Sequence, residues 1–467
     1  MKLNKILNCQ YQVEIDELSI DSRVKTNNGL YFCLTGKLDG HDYAYQAVQN
    51  GAVALVCEKK LDLPIPQIIV DDSRAAMSKA AANFYENPQN LLTMVGITGT
   101  NGKTTTSFIV ESILKRYGKK VAVIGTNGVF YNDKHISSQL TTPDPIQLFE
   151  ILQQLVNSGA QYVVMEVSAH AAALNKIKEI TFDVAAFTNL TQDHLDFFGD
   201  MDSYFQAKKK WLLSGKNIVI NADDRYGLEL IKSAKNTITY GYNNPSDVFG
   251  INLRMSEHGL SYVLNLMDDI AQVKFSLPGR FNMYNTMCAA AICYLLKVPC
   301  SYIKDGIKRV KKIDGRFNII NTTEFSVIID FAHTDDGLKN VLNAIREFAL
   351  GKIITVFGCG GNRDSSKRAK MGMVASELSD YVVITSDNPR FEDPMDIMKE
   401  IQKGVSCEHT LIVERKDAIR HAVRKAKKND IVLIAGKGAE KYQEIDGIKI
   451  PYCDEDFVMQ LVAEEGI

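Results

Sequence analysis

Residues 91–117 restrict this chain more than any other stretch. Leu91 to Ile97 is an apolar run that predicts a buried strand, and Ser107 to Tyr117 carries a helical pattern. Between them stand Thr98-Gly99-Thr100-Asn101-Gly102-Lys103-Thr104-Thr105-Thr106. A strand that turns through glycines into a helix N-terminus aims backbone N–H groups and the helix dipole at one point, which makes a phosphate cradle. Lys103 would reach the terminal phosphates, and the Thr104 hydroxyl would sit on a magnesium ion. The spacing is G-x-x-G-K-T, shorter than the usual G-x-x-x-x-G-K-[ST], because Ile97 stands where the first glycine belongs. A plain tight turn has the same short signature; the flanking strand and helix are what favour a nucleotide.

A chain of 467 residues is too long for one core, and its length predicts about three domains. Its 45% hydrophobic and 24% charged residues are ordinary for a soluble globular protein. A net charge of -2 weighs against a nucleic acid or an anionic membrane as partner. The polar start Met1-Lys2-Leu3-Asn4-Lys5 is no signal peptide, and no apolar run approaches the roughly 18 residues of a membrane span. The nine cysteines are scattered and form no C-x-x-C, so neither a disulfide framework nor a zinc ribbon is expected. Together these predict an enzyme of a reducing compartment, the cytoplasm.

Residues 1–88 alternate short strands (29–34, 52–57) with a helix (43–49). The polar turns Asp21-Ser22-Arg23 and Gly36 to His41 could hold a ligand but on their own read more readily as plain loops, and Glu86-Asn87-Pro88 marks a boundary. Residues 89–315 read as a mostly parallel α/β sheet, with strands at 121–126, 162–168, 183–190 and 218–224. Ligands bind beyond the carboxyl ends of such strands. Glu166, at one of those ends, is therefore either a magnesium ligand or a surface carboxylate. His194, between Asp193 and Asp196, suits a metal or phosphate role or a structural one. Lys208, Lys209 and Lys210 in a predicted helix (200–213) are ordinarily a solvated face. Residues 237–276 predict an antiparallel excursion, and Gly279 to Asn285 lead into a small-residue helix (286–296). From 316 a second doubly wound domain follows, whose strands end in Asp330-Phe331-Ala332-His333, Cys359-Gly360-Gly361-Asn362-Arg363-Asp364, Asp387-Asn388-Pro389-Arg390 and Gly436-Lys437-Gly438-Ala439-Glu440.

With these loops in order, and with Thr141-Thr142-Pro143 and Met165-Glu166-Val167-Ser168-Ala169-His170, the sequence resembles the Mur ligase family over its full length. The resemblance implies an α/β fold of three domains. A uridine-nucleotide-binding α/β domain would span 1–88, a P-loop ATP-binding doubly wound domain 89–315, and a Rossmann-like amino-acid-binding domain 316–467. It implies that ATP phosphorylates the D-glutamate γ-carboxylate of UDP-MurNAc-L-Ala-D-Glu, and that an incoming amine displaces the phosphate from the acyl phosphate. A monomer is the family expectation.

Carried over by motif, Gly99, Thr100, Asn101, Gly102, Lys103, Thr104 and Thr105 would cradle the ATP phosphates. Asn285, Arg316 and Asp330 would touch the nucleotide. Thr104, Glu166 and His194 would ligate Mg²⁺, joined by Lys208, which aligns with the family's carbamylated lysine. Carbamylation needs a neutral amine, so the Lys208 pKa must be lowered. Ser22, Thr141, Thr142, Ser168 and Lys176 would hold the UDP-sugar peptide. Arg363, Asp387, Asn388, Pro389, Arg390, Gly436 and Glu440 would form the amino-acid site, with Glu440 on the substrate ammonium.

Within the family an Arg at position 390 accompanies meso-diaminopimelate. That amino acid differs from lysine by one carboxylate, which a guanidinium binds through two charge-assisted bonds. With lysine bound, Arg390 would face no anion, so discrimination of roughly a hundredfold is expected. The chain departs from the family pattern at Lys176 (usually Arg), Phe331 (usually Tyr), Asp335 (usually Pro) and Ala439 (usually His). The competing readings are ligation of lysine or another diamino acid, a folylpolyglutamate-synthase-like ligase, and a non-ligating nucleotide-binding relative.

Overall fold

The computed structural model describes residues 1–466 except 37 and 139; Lys37, within the second polar turn, thus lies outside the described residues. Three parallel-dominated sheets follow one another along the chain. The first has the strands Glu17–Ser19, Gly29–Phe32, Ala52–Cys57 and Gln67–Ile69 in that spatial order, all parallel.

The second sheet has eleven strands. Its parallel heart runs, in spatial order, through Val248–Ser256, Thr237–Gly241, Asn217–Asn221, Val184–Phe187, Thr93–Thr98, Tyr162–Glu166 and Val121–Gly125. Antiparallel strands close both edges. Both faces are covered, which is why the central strands read as nearly unbroken apolar runs. Within Thr93–Thr98, Met94 packs into one core, while Val95 and Ile97 pack into the other. A Cβ on Gly96 would collide with the rings of Phe182 and Trp211, so the helix Met201–Leu212 lies tightly on this strand.

The third sheet is ordered Asn318–Asn321, Ser326–Asp330, Ile431–Ala435, Ile353–Phe357, Tyr381–Ile384 and His409–Leu411, parallel apart from the first pair. At its carboxyl edge Arg415 and Asp454, both fully buried, form a two-pronged ion pair at 2.8 Å per prong. Arg415 also donates to the carbonyls of Ser386 and Ala435, at 3.4 and 3.1 Å. One guanidinium thus ties together the strand ends that launch the 387–390 and 436–440 loops.

The elements depart from the sequence reading in instructive places. The strand before the glycine loop begins at Thr93, because Pro88–Leu91 forms a 3-10 turn. The helix after the glycine loop begins at Lys103, four residues before its apolar periodicity does, because Thr104, Thr105 and Thr106 are buried against the loop rather than solvated. The 237–276 segment is not wholly antiparallel: Thr237–Gly241 extends the parallel array, and hairpins begin only with Val248–Ser256. The small-residue helix starts at Arg280, before Thr286.

Candidate active site

The phosphate-loop geometry follows from two glycines in conformations other residues avoid, Gly99 at φ +149° and Gly102 at φ +87°. Asn285 packs so closely over Gly102 that a Cβ there would overlap its Oδ1. Lys103 curls back over the loop, donating to the carbonyls of Gly99 and Thr100 at 2.9 Å each. Burial pulls its pKa below the ordinary lysine value, opposed by the carboxylates of Glu166 and Asp193.

Glu166 is 1% exposed, which removes the surface-carboxylate reading. Its two oxygens accept from the Thr126 N–H and hydroxyl, at 3.0 Å each. The carboxylate lies over Gly125, where a Cβ would occupy its place. Thr142 donates to the Glu166 carbonyl at 2.9 Å and accepts from the Ser168 N–H at 3.0 Å, while Thr141 meets Thr126 at 3.1 Å. The Thr141–Thr142 turn thus braces the strand end that presents Glu166.

Lys208 is 2% exposed and is no part of a solvated face. Its ammonium donates to the Gly99 carbonyl at 2.9 Å and lies 4.9 Å from the Tyr204 ring centre. Burial, and secondarily the charge of Lys103, push its pKa well below the ordinary lysine value. His194 takes a left-handed backbone (φ +57°), with its ring edge-on to His170 at 4.9 Å. Burial lowers its pKa to about 3, so the imidazole is neutral. Asp193, which the sequence reading left without a role, is the hub here. It lies 3.4 Å from His194, 3.8 Å from His333 and 3.7 Å from Lys367, the last two belonging to the third-sheet region.

Other bridges converge on the loop from the same side. Arg316 donates to the Thr104 hydroxyl at 2.9 Å and stacks 4.4 Å over Phe331, so phenylalanine serves at that position as a cation–π partner. Asn101 donates to Asp336 at 2.9 Å, and Gln192 to Asp364 at 3.2 Å. Both oxygens of Asp330 are engaged by backbone, accepting from Phe317 and Ala332 at 2.8 Å each.

Across the cleft, Lys437 is fully buried and was also missed from sequence. It donates to Asn388 at 2.9 Å and to Glu440 at 2.8 Å, welding the 387–390 loop to the 436–440 loop. Glu440 also accepts from Asn388 at 2.9 Å, so its carboxylate already has two partners. Lys176 is likewise paired, with Asp144 at 2.7 Å. Arg390 is not an unpartnered cation: its Nη1 donates to the Gly361 carbonyl at 2.7 Å, and its Nε lies 3.2 Å from Glu444. The expected penalty for facing lysine is therefore smaller than for a bare guanidinium.

Most of these groups line one cleft of about 1290 Å³ between the second and third sheets; Gly125, Asp144, Gln192, Gly361 and Glu444 stand behind its wall. Of the site residues expected from sequence, only Ser22 and Pro389 do not line it. Ser22 is buried in the first-sheet region, donating to Gln46 at 2.8 Å. Residues 97–293 match the family described as Mur ligase middle domain, and residues 315–438 match Mur ligase, glutamate ligase domain. A relative from Clostridium acetobutylicum, UDP-N-acetylmuramoyl-L-alanyl-D-glutamate–2,6-diaminopimelate ligase 1, is 42% identical and aligned over 99% of this chain and 100% of its own. The chain belongs to the Mur ligase family.

The Clostridium botulinum ligase of the same name is 40% identical over 97% of this chain and 96% of its own. A solved structure of a ligase of that name superposes over 100% of this chain and 99% of its own, with a TM-score of 0.70 at 28% identity. A Mycobacterium tuberculosis folylpolyglutamate synthase, at 16% identity and a TM-score of 0.67, shares the fold over 78% of this chain. As a Mur ligase the protein is an ATP-dependent ligase with an α/β, three-domain fold. The oxygen-rich donors at its phosphate loop fit magnesium, which takes one or two carboxylates together with phosphates and water.

Proposed function

We propose that this Mur ligase joins meso-diaminopimelate to the D-glutamate γ-carboxylate of UDP-MurNAc-L-Ala-D-Glu, consuming ATP in the synthesis of peptidoglycan precursors. The observation that carries the reading is the shared cleft: a phosphate loop with a buried carboxylate on one wall, and the Arg390–Asn388–Glu440 loops on the other.

A carboxylate is a poor acyl donor until one of its oxygens becomes a leaving group. Transfer of the ATP γ-phosphoryl group to the γ-carboxylate supplies that, giving ADP and an acyl phosphate. The amine then adds to the acyl carbon, loses a proton, and inorganic phosphate departs with the C–O bond. The backbone N–H groups of 99–105 and the Lys103 ammonium would orient the phosphates and offset their charge. Thr104, Glu166, His194 and Lys208, the last as a carbamate, would hold Mg²⁺. Bound there, the ion neutralises charge developing on the transferred group. A depressed Lys208 pKa supports the carbamate, since only the neutral amine attacks CO₂; ¹³C-labelled CO₂ and NMR would detect it. Asn285, Arg316 and Asp330 are assigned to the nucleotide, and Ser22, Thr141, Thr142, Ser168 and Lys176 to the UDP-sugar peptide. Arg363, Asp387, Asn388, Pro389, Arg390, Gly436 and Glu440 are assigned to the amino acid. Domain limits at 88/89 and 315/316, and a monomer checked by sedimentation, complete the proposal. No helix among the described residues is long and apolar enough to cross a membrane.

The test is phosphate release with ATP, Mg²⁺ and the UDP-dipeptide, comparing diaminopimelate with L-lysine. Release dependent on diaminopimelate and lost in Arg390→Ala is the expected result. Preference for lysine would retain the ligase and overturn the amino-acid assignment.

A further inference from the structure

The Arg390 guanidinium is held on two edges before any substrate arrives. Nη1 donates to the Gly361 carbonyl at 2.7 Å, and Nε faces the Glu444 carboxylate at 3.2 Å. The Glu444 side chain is 21% exposed and that of Arg390 19%, so solvent screens the pair only partly. The Glu444 main chain is anchored on both sides. It sits in the two-stranded hairpin Tyr442–Ile445 and Ile448–Pro451. Its N–H donates to the Asn388 Oδ1 at 2.9 Å, and its carbonyl accepts from the Arg390 N–H at 3.1 Å. The Asp446 N–H then donates back to the Arg390 carbonyl at 2.7 Å. Gln443, next in the strand, donates to the Asp387 carbonyl at 2.7 Å. Arg390 and Glu444 are therefore fixed to each other through both main chain and side chain. Arg390 lines the cleft, whereas Glu444 does not.

We propose that Glu444 is a positioning residue for amino-acid selection, acting through Arg390. A long guanidinium left to itself samples many rotamers, and ordering it when substrate binds lowers affinity. Pinned at Nε and Nη1, it keeps one orientation, in which its remaining N–H groups are offered to a substrate carboxylate. The hairpin thus serves as the back wall of the distal-carboxylate pocket. The inference rests on the proposed function, because it takes Arg390 as the reader of that carboxylate.

The test compares Glu444→Gln, which keeps the shape and loses the charge, with Glu444→Asp and with the unsubstituted protein. Steady-state phosphate release is measured with each amino acid and with varied ATP. For Glu444→Gln the diaminopimelate-to-lysine ratio of kcat/KM should fall about tenfold, carried by KM for diaminopimelate, with Glu444→Asp recovering part of it. The KM for ATP and the thermal midpoint should stay near those of the unsubstituted protein. An unchanged ratio would overturn the positioning role while leaving the proposed function standing. Equal losses with both amino acids and with ATP would also overturn it, marking Glu444 as merely structural. If the unsubstituted protein does not use diaminopimelate, the proposed function fails and this inference with it.

Discussion

At the scale of single residues, the site depends on what burial does to charge. Lys208 is an amine whose ammonium form the fold disfavours, below its ordinary value of 10.5. Between the folded and unfolded pKa values the unfolded chain binds more protons, so this group's contribution makes stability rise with pH. Lys208→Met is therefore expected to flatten that rise in CO₂-free buffer, to raise stability at neutral pH, and to abolish phosphate release. Guanidinium titrations at several pH values would check it. Gly125 is a second such point. Gly125→Ala must displace the Glu166 carboxylate and should lower ATP-driven phosphate release by about 10–100-fold, the usual cost of disturbing a metal ligand's setting. A variant with unchanged turnover would remove Glu166 from the proposed set of magnesium ligands.

At the scale of elements, the third sheet's loops are set by Arg415, which spans the ends of two strands and pairs with Asp454. Arg415→Met leaves a buried carboxylate without its partner, and the expected cost is about 3–5 kcal/mol in denaturant unfolding. Asp454 is held below its ordinary value by Arg415, against its own desolvation. Its stabilising contribution is therefore present above the unfolded aspartate pKa and is lost as acid takes the pH down through the folded one. Strands such as Ile431–Ala435 were plain in the sequence, because unbroken apolar runs are what a sheet covered on both faces requires. The phosphate loop was plain too, since its residue types and its flanking elements name one geometry. What the sequence hid were pairings between distant segments. Lys437 with Asn388, Asp193 with His333 and Lys367, and Glu444 with Arg390 each join residues that no local pattern relates. Lys208 shows the same limit: in sequence it is one of three adjacent lysines, and only its helix's seating on Gly96 puts it indoors.

At the scale of the molecule, the first sheet stands apart from the cleft. The first sheet contributes nothing to the wall of the cleft, and its region meets the second through the helix Ser73–Phe84, whose Ala81 and Ala82 are buried in a core of the second, and through bonds such as Asn175 to Asp72 at 2.9 Å and Lys79 to Glu179 at 3.2 Å. The second and third sheets are joined across the cleft through polar and charged groups, among them Asp193 with His333 and Lys367. Asp193→Asn should loosen this seating and enlarge the radius of gyration in X-ray scattering, as well as slow turnover. An unchanged scattering profile would show that the Arg316 and Asn101 bridges suffice. Against its own desolvation, the hydrogen bond with His333 and the nearby charge of Lys367 hold the Asp193 pKa well below its ordinary value, so mild acid alone should not open the cleft by this route.

The buried amine of Lys208 has a practical corollary. Cyanate has the same linear shape as carbon dioxide and adds to neutral amines, but its product is an uncharged urea that does not reverse. Folded protein exposed to dilute cyanate in the absence of denaturant should thus acquire homocitrulline at position 208 and lose turnover, even where the exposed lysines, mostly protonated, escape.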